Sequence, residues 1–339
     1  MKKNILFYSS VKTKKMFSIQ KFYRIDISIL KDLGYRVKLS NSILDFFLFW
    51  KYDIAFIYFY RYGLLPAFIS KLFGKKVIFT GGIDYLDKEY AGLKSYTLQK
   101  IFFIFCNVFS DKNILVSNSD VLNVKKIVNN FKKDKFPISY HVINVDDFVC
   151  GNIHNRKKIF CTIAWMLRVE NVIRKGVDKS ILLFKEIYYN DSDFRMVIIG
   201  PIGEGTDYLK EIIKKEKLED VITFTGAIDE NEKIDILKES TIYSQLSIYE
   251  GFGIAAIEAL AAGNLVVHSG KGGLSDAIGN NGILVENYNY KEIAENIKLI
   301  LNNEEIYKNN IDMGIKHVET NFKYSTRLSK FNEILDSIK

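Results

Sequence analysis

The residues best suited to chemistry lie between residues 249 and 278, in the string YEGFGIAAIEALAAGNLVVHSGKGGLSDAI. Two carboxylates, Glu250 and Glu258, stand eight residues apart. Between them come Gly251, Phe252 and Gly253, then an alanine-rich helical run from Ile254. Glycines ahead of a helix let the backbone approach a ligand closely. The free amides of a helix start, with the helix dipole behind them, favour an anion such as a diphosphate. A fully helical spacer would set the two carboxylates about 12 Å apart, which suits the two ends of an elongated ligand. The plain alternatives are a helix cap for Glu250 and a solvated helix face for Glu258. Glutamates at this spacing are common by chance. The Gly-Phe-Gly turn and the later Gly272-Gly273 pair make this instance specific.

Such residues need a scaffold. Short apolar runs alternate with helix-period segments, the pattern of stacked βαβ units with parallel sheets. In the first half, strands are expected over 4–8, 36–39, 54–58, 77–80, 114–117 and 141–143, with helices over 17–33, 63–73, 93–109 and 120–131. In the second half, strands are expected over 158–165, 195–199, 221–225, 241–244 and 265–268. Helices are expected over 178–188, 208–216, 230–239 and 254–262, the last stopped by Gly263. The chain reads as helical from about Tyr290 to its end. The polar stretch 149–157 marks the break. The expected domains are therefore 1–150 and 151–320, with a helix over 321–339 packing back on the first. In tandem α/β domains, ligands bind beyond the carboxyl ends of the strands and in the cleft between domains.

With these motifs in place, the chain resembles glycosyltransferase family 4. That family comprises retaining transferases of the GT-B fold, two Rossmann-like α/β domains with parallel sheets facing across a cleft. The resemblance covers about residues 158–300 and is weak over 1–150. It implies that Glu258 holds the ribose hydroxyls of a nucleotide sugar. It implies that Glu250 faces the donor sugar as the catalytic carboxylate, helped by the backbone of Gly251, Phe252, Gly253 and Ile254. Lys175-Gly176, within IRKGVDKSILLFKEI, matches a family Lys-Gly whose lysine grips the diphosphate. A departing nucleotide diphosphate gains charge, and fixed cations stabilise it. The family's arginine has two candidates, Arg168 and Arg174; Arg168 is favoured as lying just past a strand end. Residues 197–205 resemble the family's strand and glycine-rich loop. Thr225-Gly226-Ala227-Ile228 resembles the loop that reads the base, which assigns Ile228 to the donor.

The implied reaction retains configuration at the anomeric carbon. The acceptor attacks from the front face, and the leaving phosphate helps take its proton. The nucleotide sugar is a co-substrate, a UDP-sugar first and a GDP-sugar second, and neither a metal nor another cofactor is expected. The expected acceptor is a saccharide or lipid-linked saccharide used in surface glycan synthesis. The first half departs from the family where members carry a glycine pair after the first strand; here the loop is Ser9-Ser10-Val11-Lys12. Where members carry a histidine, this chain has Thr80-Gly81-Gly82-Ile83-Asp84. Asp84 is the candidate to orient or deprotonate the acceptor hydroxyl, with a turn-capping aspartate as the plain alternative.

Charge is unevenly placed. Residues 1–150 hold 24 Lys and Arg against 12 Asp and Glu, net +12, whereas 151–339 hold 24 against 28, net −4. A basic first half points to an anionic partner. No nucleic-acid recognition motif is present, so nucleic acid is not an expected partner; an anionic membrane surface is the candidate, with a solvated lysine-rich surface as the plain alternative. Phe46-Phe47-Leu48-Phe49-Trp50 and Ile101-Phe102-Phe103-Ile104-Phe105 are either core or membrane-docking clusters. No apolar run reaches the roughly 18 residues of a membrane span, and MKKNILFYSS reads as a strand, not a signal peptide. Cys106, Cys150 and Cys161 lack metal-ligand spacing and read as buried thiols of a reducing compartment. The expected location is the cytoplasm, or the inner face of the cytoplasmic membrane. Asp191-Ser192-Asp193 mimics a metal-binding Asp-x-Asp but reads as a polar turn. The rivals are a nucleotide-sugar epimerase or hydrolase of the same fold and, from another class, a basic nucleic-acid-binding protein. A glycosidase pair is disfavoured by the phosphate-binding surroundings. A dinucleotide dehydrogenase is disfavoured because no Gly-x-Gly-x-x-Gly follows the first strand.

Overall fold

The apolar runs of the first half form a five-stranded parallel sheet in the order β2-β1-β3-β4-β5. The strands are β1 Asn4–Tyr8, β2 Arg36–Ser40, β3 Ile54–Tyr58, β4 Lys76–Thr80 and β5 Lys112–Ile114. The structure is a computed structural model that describes residues 3–149 and 156–338. β1, β3 and β4 are buried almost throughout, as expected of strands covered on both faces by helices. Those helices are α1 Met16–Ile19, α2 Lys21–Asp32, α3 Tyr60–Leu72, α4 Lys88–Phe109 and α5 Asn118–Lys125. The single helix expected over 17–33 is interrupted at Gln20, whose extended backbone starts α2. No strand forms over 141–143; Ile143 makes only one parallel bridge, to Lys323.

The second sheet has six parallel strands in the order β11-β10-β9-β6-β7-β8. These are β6 Lys157–Ile163, β7 Arg195–Ile199, β8 Ile222–Gly226, β9 Ser240–Gln245, β10 Leu265–His268 and β11 Ile283–Leu284. The helices of its first half are α6 Val169–Lys175, α7 Val177–Asn190, α8 Glu204–Lys215 and α9 Glu230–Glu239. Then come α10 Ile254–Ala261, α11 Leu274–Ile278, α12 Tyr290–Asn302 and α13 Glu304–Asn321. The last helix, α14 Tyr324–Asp336, belongs to the first unit.

The chain divides into Met1–Val142 with Tyr324–Lys339, and Ile143–Lys323. These divisions differ from residues 150 and 320. The Ile143 amide donates to the Phe322 carbonyl at 3.0 Å, and the 3₁₀ turn Val145–Phe148 packs on α10, which ties 143–149 to the second unit. The polar stretch 149–157 lies mostly outside the described residues, as does Cys150; Cys106 and Cys161 are buried free thiols. α14 is held by apolar and ionic contacts together. Phe331, Ile334 and Leu335 join the core around Ile5, Phe7 and Phe56. Fully buried Arg327 donates to Asp26 at 2.7 and 2.9 Å. Among the described residues, no helix is long and apolar enough to cross a membrane.

Each sheet reverses strand order once, between β1 and β3 in the first and between β6 and β9 in the second. Chain segments leaving two such strands run to opposite faces and open a crevice at their carboxyl ends. Glu250 follows β9 and Arg168 follows β6, the two strands at the second reversal, whereas Asp84 follows β4 and Ile228 follows the edge strand β8.

Candidate functional site

Glu250 lies on the segment that leaves β9, four residues before α10. It is 7% exposed. Lys175 Nζ donates to its Oε1 at 2.6 Å, and Ser247 Oγ donates to the same oxygen at 2.7 Å. Arg174 Nη1 stands 4.0 Å away. Burial pushes the Glu250 carboxyl up, but the charges of Lys175 and Arg174 and the two hydrogen bonds outweigh it. The carboxyl is held below its usual range and is an anion near neutral pH.

Glu258 is not on a solvated face. It is 2% exposed, and Lys233 of α9 donates to its Oε2 at 2.7 Å and to Glu230 at 3.1 Å. Tyr243 of β9 feels both site carboxylates: burial, then Cys161, Glu250 and Glu258, push its phenol well above the usual range. It stays neutral and donates to Gln245 Oε1 at 3.0 Å.

The glycines explain how these side chains are placed. Gly176 joins α6 to α7 at φ 66°, and a Cβ there would lie 2.0 Å from the Leu246 carbonyl oxygen. Close by, the Ile248 amide donates to the Arg174 carbonyl at 2.8 Å. The α6–α7 junction is thereby pinned to the segment after β9, which brings Lys175 onto Glu250. From the other side, Cβ atoms on Gly272 and Gly273 would fall 2.3 Å and 2.1 Å from the carbonyl oxygens of Glu250 and Gly251. The Gly273 amide donates to the Glu250 carbonyl at 2.7 Å. Gly253 starts α10 without a side-chain cap, and the first helical bonds run from Ala256 and Ile257 to its carbonyl. The amides of Ile254 and Ala255 precede those bonds, as at any helix start.

The structure therefore gathers Lys175, Glu250, Gly251, Phe252, Gly253 and Ile254 in one place, with Glu258 one turn into α10. The Phe252 side chain turns inward, edge-on to Phe322 with ring centroids 5.3 Å apart. Of the two arginines, Arg174 is beside Glu250, whereas Arg168 is exposed at the start of α6. A helix of that length separates Arg168 from Lys175 by about 10 Å along its axis. Near Arg168 the start of α8 crosses close: a Cβ on Gly205 would meet the Arg168 carbonyl oxygen at 2.6 Å. Ile228 is half-buried between β8 and α9. Asp191 and Asp193 share Lys158 at 2.8 and 2.9 Å, so the motif is a turn paired with a lysine. Among the described residues, no group of three or more His, Cys, Asp or Glu is placed to hold a metal ion.

Asp84 lies in the first unit, half-buried on the 3₁₀ turn Asp84–Leu86 after β4. It lines a cavity of about 410 Å³ with Ser10, Phe59, Ser95 and Gln99. Phe59 follows β3 at φ 71° and ψ 121°, an unusual conformation for a residue with a Cβ and one that collects at functional sites. Its ring lies over Gly82, where a Cβ would come within 2.2 Å of Cδ1. Sequence reading missed α6, Lys233, Ser247 and Phe59. Only Lys233 had a signal, its place on an expected helix, and nothing there marked the face that meets Glu258.

Comparison with known proteins places this geometry. The fold is that of the GT-B glycosyltransferases. The chain is similar to Anabaena HepE in complex with UDP-glucose, with TM-score 0.79 and 15% identity over 99% of this chain and 100% of that one. It is also similar to sucrose-phosphate synthase from Thermosynechococcus elongatus, with TM-score 0.75 and 13% identity over 99% of each. Residues 152–317 match the family described as Glycosyl transferases group 1. It is 25% identical to an uncharacterized glycosyltransferase of Methanocaldococcus jannaschii over 263 residues, 69% of this chain and 70% of that protein. It is 33% identical to D-inositol 3-phosphate glycosyltransferase of Paenarthrobacter aurescens over 108 residues, 31% of this chain and 26% of that protein.

Proposed function

We propose that the chain is a retaining hexosyltransferase that moves a sugar from a UDP-sugar to a saccharide or lipid-linked saccharide acceptor in surface glycan synthesis. The observation that carries this reading is the pair of buried carboxylates flanking the start of α10, Glu250 on Lys175 and Glu258 on Lys233. A nucleotide diphosphate sugar has hydroxyl-bearing groups at both ends and two phosphates between them. Glu258 takes the ribose hydroxyls, and the amides from Gly251 to Ile254 meet the diphosphate. Glu250 orients the donor sugar and stabilises the positive charge that develops at its anomeric carbon. Lys175 has three donors; one is on Glu250, which leaves two for diphosphate oxygens as the nucleotide departs. Arg174 adds positive charge there, Arg168 serves the outer end of the diphosphate, and Ile228 contacts the base. HepE, of the same fold, is in complex with UDP-glucose, which supports UDP as the carrier.

In the first unit, Asp84 orients the acceptor hydroxyl within its cavity, and the departing phosphate takes the proton. No resident metal takes part, so activity should survive a chelator; complete loss that added metal reverses would overturn that point. Exposed apolar side chains on α3 and α4, including Leu72, Ile101 and Val108, together with the basic first half, support peripheral docking on the anionic inner face of the cytoplasmic membrane. The central test is a thermal-shift panel of nucleotide sugars on wild type and Glu258→Ala. A UDP-sugar should raise the melting temperature of wild type and not of the variant. Equal stabilisation of both, or none by any nucleotide sugar, would overturn the reading.

A further inference from the structure

The first unit carries a second cavity that the donor chemistry does not use. It is a groove of about 500 Å³ between α3, α4 and the 3₁₀ turn Ile43–Phe47, walled mainly by Ile43, Leu65, Phe68, Phe102, Phe105 and Phe109. Its volume is in the range of small-molecule sites. Several of its walls are unusually open for apolar residues: Leu65 is 51% exposed, Phe68 46% and Phe105 52%. On both helices the exposed apolar positions recur at helical spacing. They are Tyr62, Leu65, Phe68 and Leu72 on α3, and Ile101, Ile104, Phe105 and Val108 on α4. A stripe of this kind faces something apolar.

Arg61 and Tyr62 line both this groove and the cavity that holds Asp84. One side of that shared wall is hydrocarbon. The other offers Ser10, Asp84, Ser95 and Gln99. Arg61 is exposed, makes no ion pair among the described residues, and has its guanidinium 5.6 Å from the centre of the Tyr62 ring. A guanidinium is built to hold phosphate oxygens with paired donors.

We propose that this groove takes the hydrocarbon chain of a lipid phosphate, that Arg61 holds its phosphate at the wall, and that the polar head lies in the Asp84 cavity. The occupant is one chain of an isoprenoid or acyl type. The ordering apolar, cationic, polar across two cavities that share Arg61 and Tyr62 matches the ordering chain, phosphate, sugar in a lipid-linked saccharide. This deepens the acceptor half of the proposed function and rests on it only for the identity of the polar head.

The test is calorimetric titration of the full chain with dodecyl phosphate, kept below the concentration at which it forms micelles. Dodecanol and inorganic phosphate serve as the arms lacking the phosphate or the chain. Dodecyl phosphate should bind at one site, dodecanol more weakly and inorganic phosphate not measurably. Arg61→Gln should weaken dodecyl phosphate about tenfold or more, the loss of a charge-assisted contact, and leave dodecanol unchanged. Leu65→Asp should abolish both, and Phe105→Asp serves as a second groove variant if Leu65→Asp does not fold. Equal binding by wild type and the groove variants overturns the proposal, as does binding only to lipid vesicles, which would make the stripe a bilayer surface. Glu258→Ala should bind dodecyl phosphate as wild type does. Failure of the nucleotide-sugar panel with this binding intact would therefore sink the donor reading alone.

Discussion

Replacing Lys175 by Met separates the structural and chemical tasks of Glu250. In wild type, Glu250 is 7% exposed and Lys175 donates to it at 2.6 Å. Breaking a buried pair by removing one partner costs about 3–5 kcal/mol, because the remaining charge is left unpaired. Here Ser247 still donates to Glu250, Arg174 stands 4.0 Å away, and the Lys175 side chain is 23% exposed. The lower end, about 3 kcal/mol, is therefore expected. At roughly 2–4 °C per kcal/mol for a unit of this size, the melting temperature should fall by about 6–12 °C.

The pH dependence follows from the direction of the shift. In wild type the Glu250 pKa is lowered. Its contribution to stability is thus complete above the unfolded-state value and is lost as pH falls through the folded one. Without Lys175, burial gains over the remaining contacts and the pKa rises. The variant then recovers relative stability on acidification, so the gap between wild type and variant should narrow from pH 7 to pH 5. The double variant Lys175→Met, Glu250→Gln leaves no buried charge at this point and should regain most of the loss in urea titrations at pH 7. Under the proposed function, sugar transfer should be lost in both the single and the double variant. A cost at pH 7 of less than about 1 kcal/mol, the worth of a surface pair, would refute the reasoning. So would a double variant no more stable than Lys175→Met.

Gly176→Ala should destabilise the second unit by more than about 3 kcal/mol, read from the urea midpoint, because it combines positive-φ strain with a forced backbone shift. A methyl at that position would lie 2.0 Å from the Leu246 carbonyl oxygen, so activity should fall with stability. His268 is buried, and burial lowers its pKa to about 4. Its stability contribution is present above its ordinary value near 6.5 and lost as pH falls toward about 4, so His268→Gln should flatten the acid limb of the stability curve. Arg327→Met should cost about 3–5 kcal/mol in the first unit, because Asp26 would keep a fully buried charge with Tyr58 as a remaining donor, at 2.5 Å. Proteolysis should then release α14 first.

The buried central strands β1, β3, β4 and β10 were legible as apolar runs, the short edge strand β11 was not read, and the turn before α10 was legible because Gly251 and Gly253 punctuate it. Much of the rest depends on contacts remote in sequence. α6 escaped notice because seven residues with only Val172 buried give too little periodicity. Its presence turns Arg168 and Lys175 from near neighbours into opposite ends of a helix. Lys233 looked like any lysine on a polar helix, and only the packing of α9 shows that it faces Glu258. The expected division near residue 150 followed polarity, whereas the actual one follows the backbone bond from Ile143 to Phe322. Nothing in the polarity of 141–149 encodes that bond. Phe59 at positive φ had no signal at all, since phenylalanine after a strand ordinarily continues extended.

The glycines around Glu250 carry a further consequence. The position of the Glu250 carboxylate, which the proposed function makes the group that orients the sugar, is set by the backbone on either side. Gly272 and Gly273 let one segment press on the carbonyls of Glu250 and Gly251, and Gly176 lets another press on Leu246. Any side chain at these three positions pushes the turn, not merely its own neighbourhood. Preorganised charge is worth most when it does not have to reorganise as the reaction proceeds. Under the proposed function, the site's precision resides less in Glu250 itself than in these glycines, and substitutions there should damage turnover more than nucleotide binding.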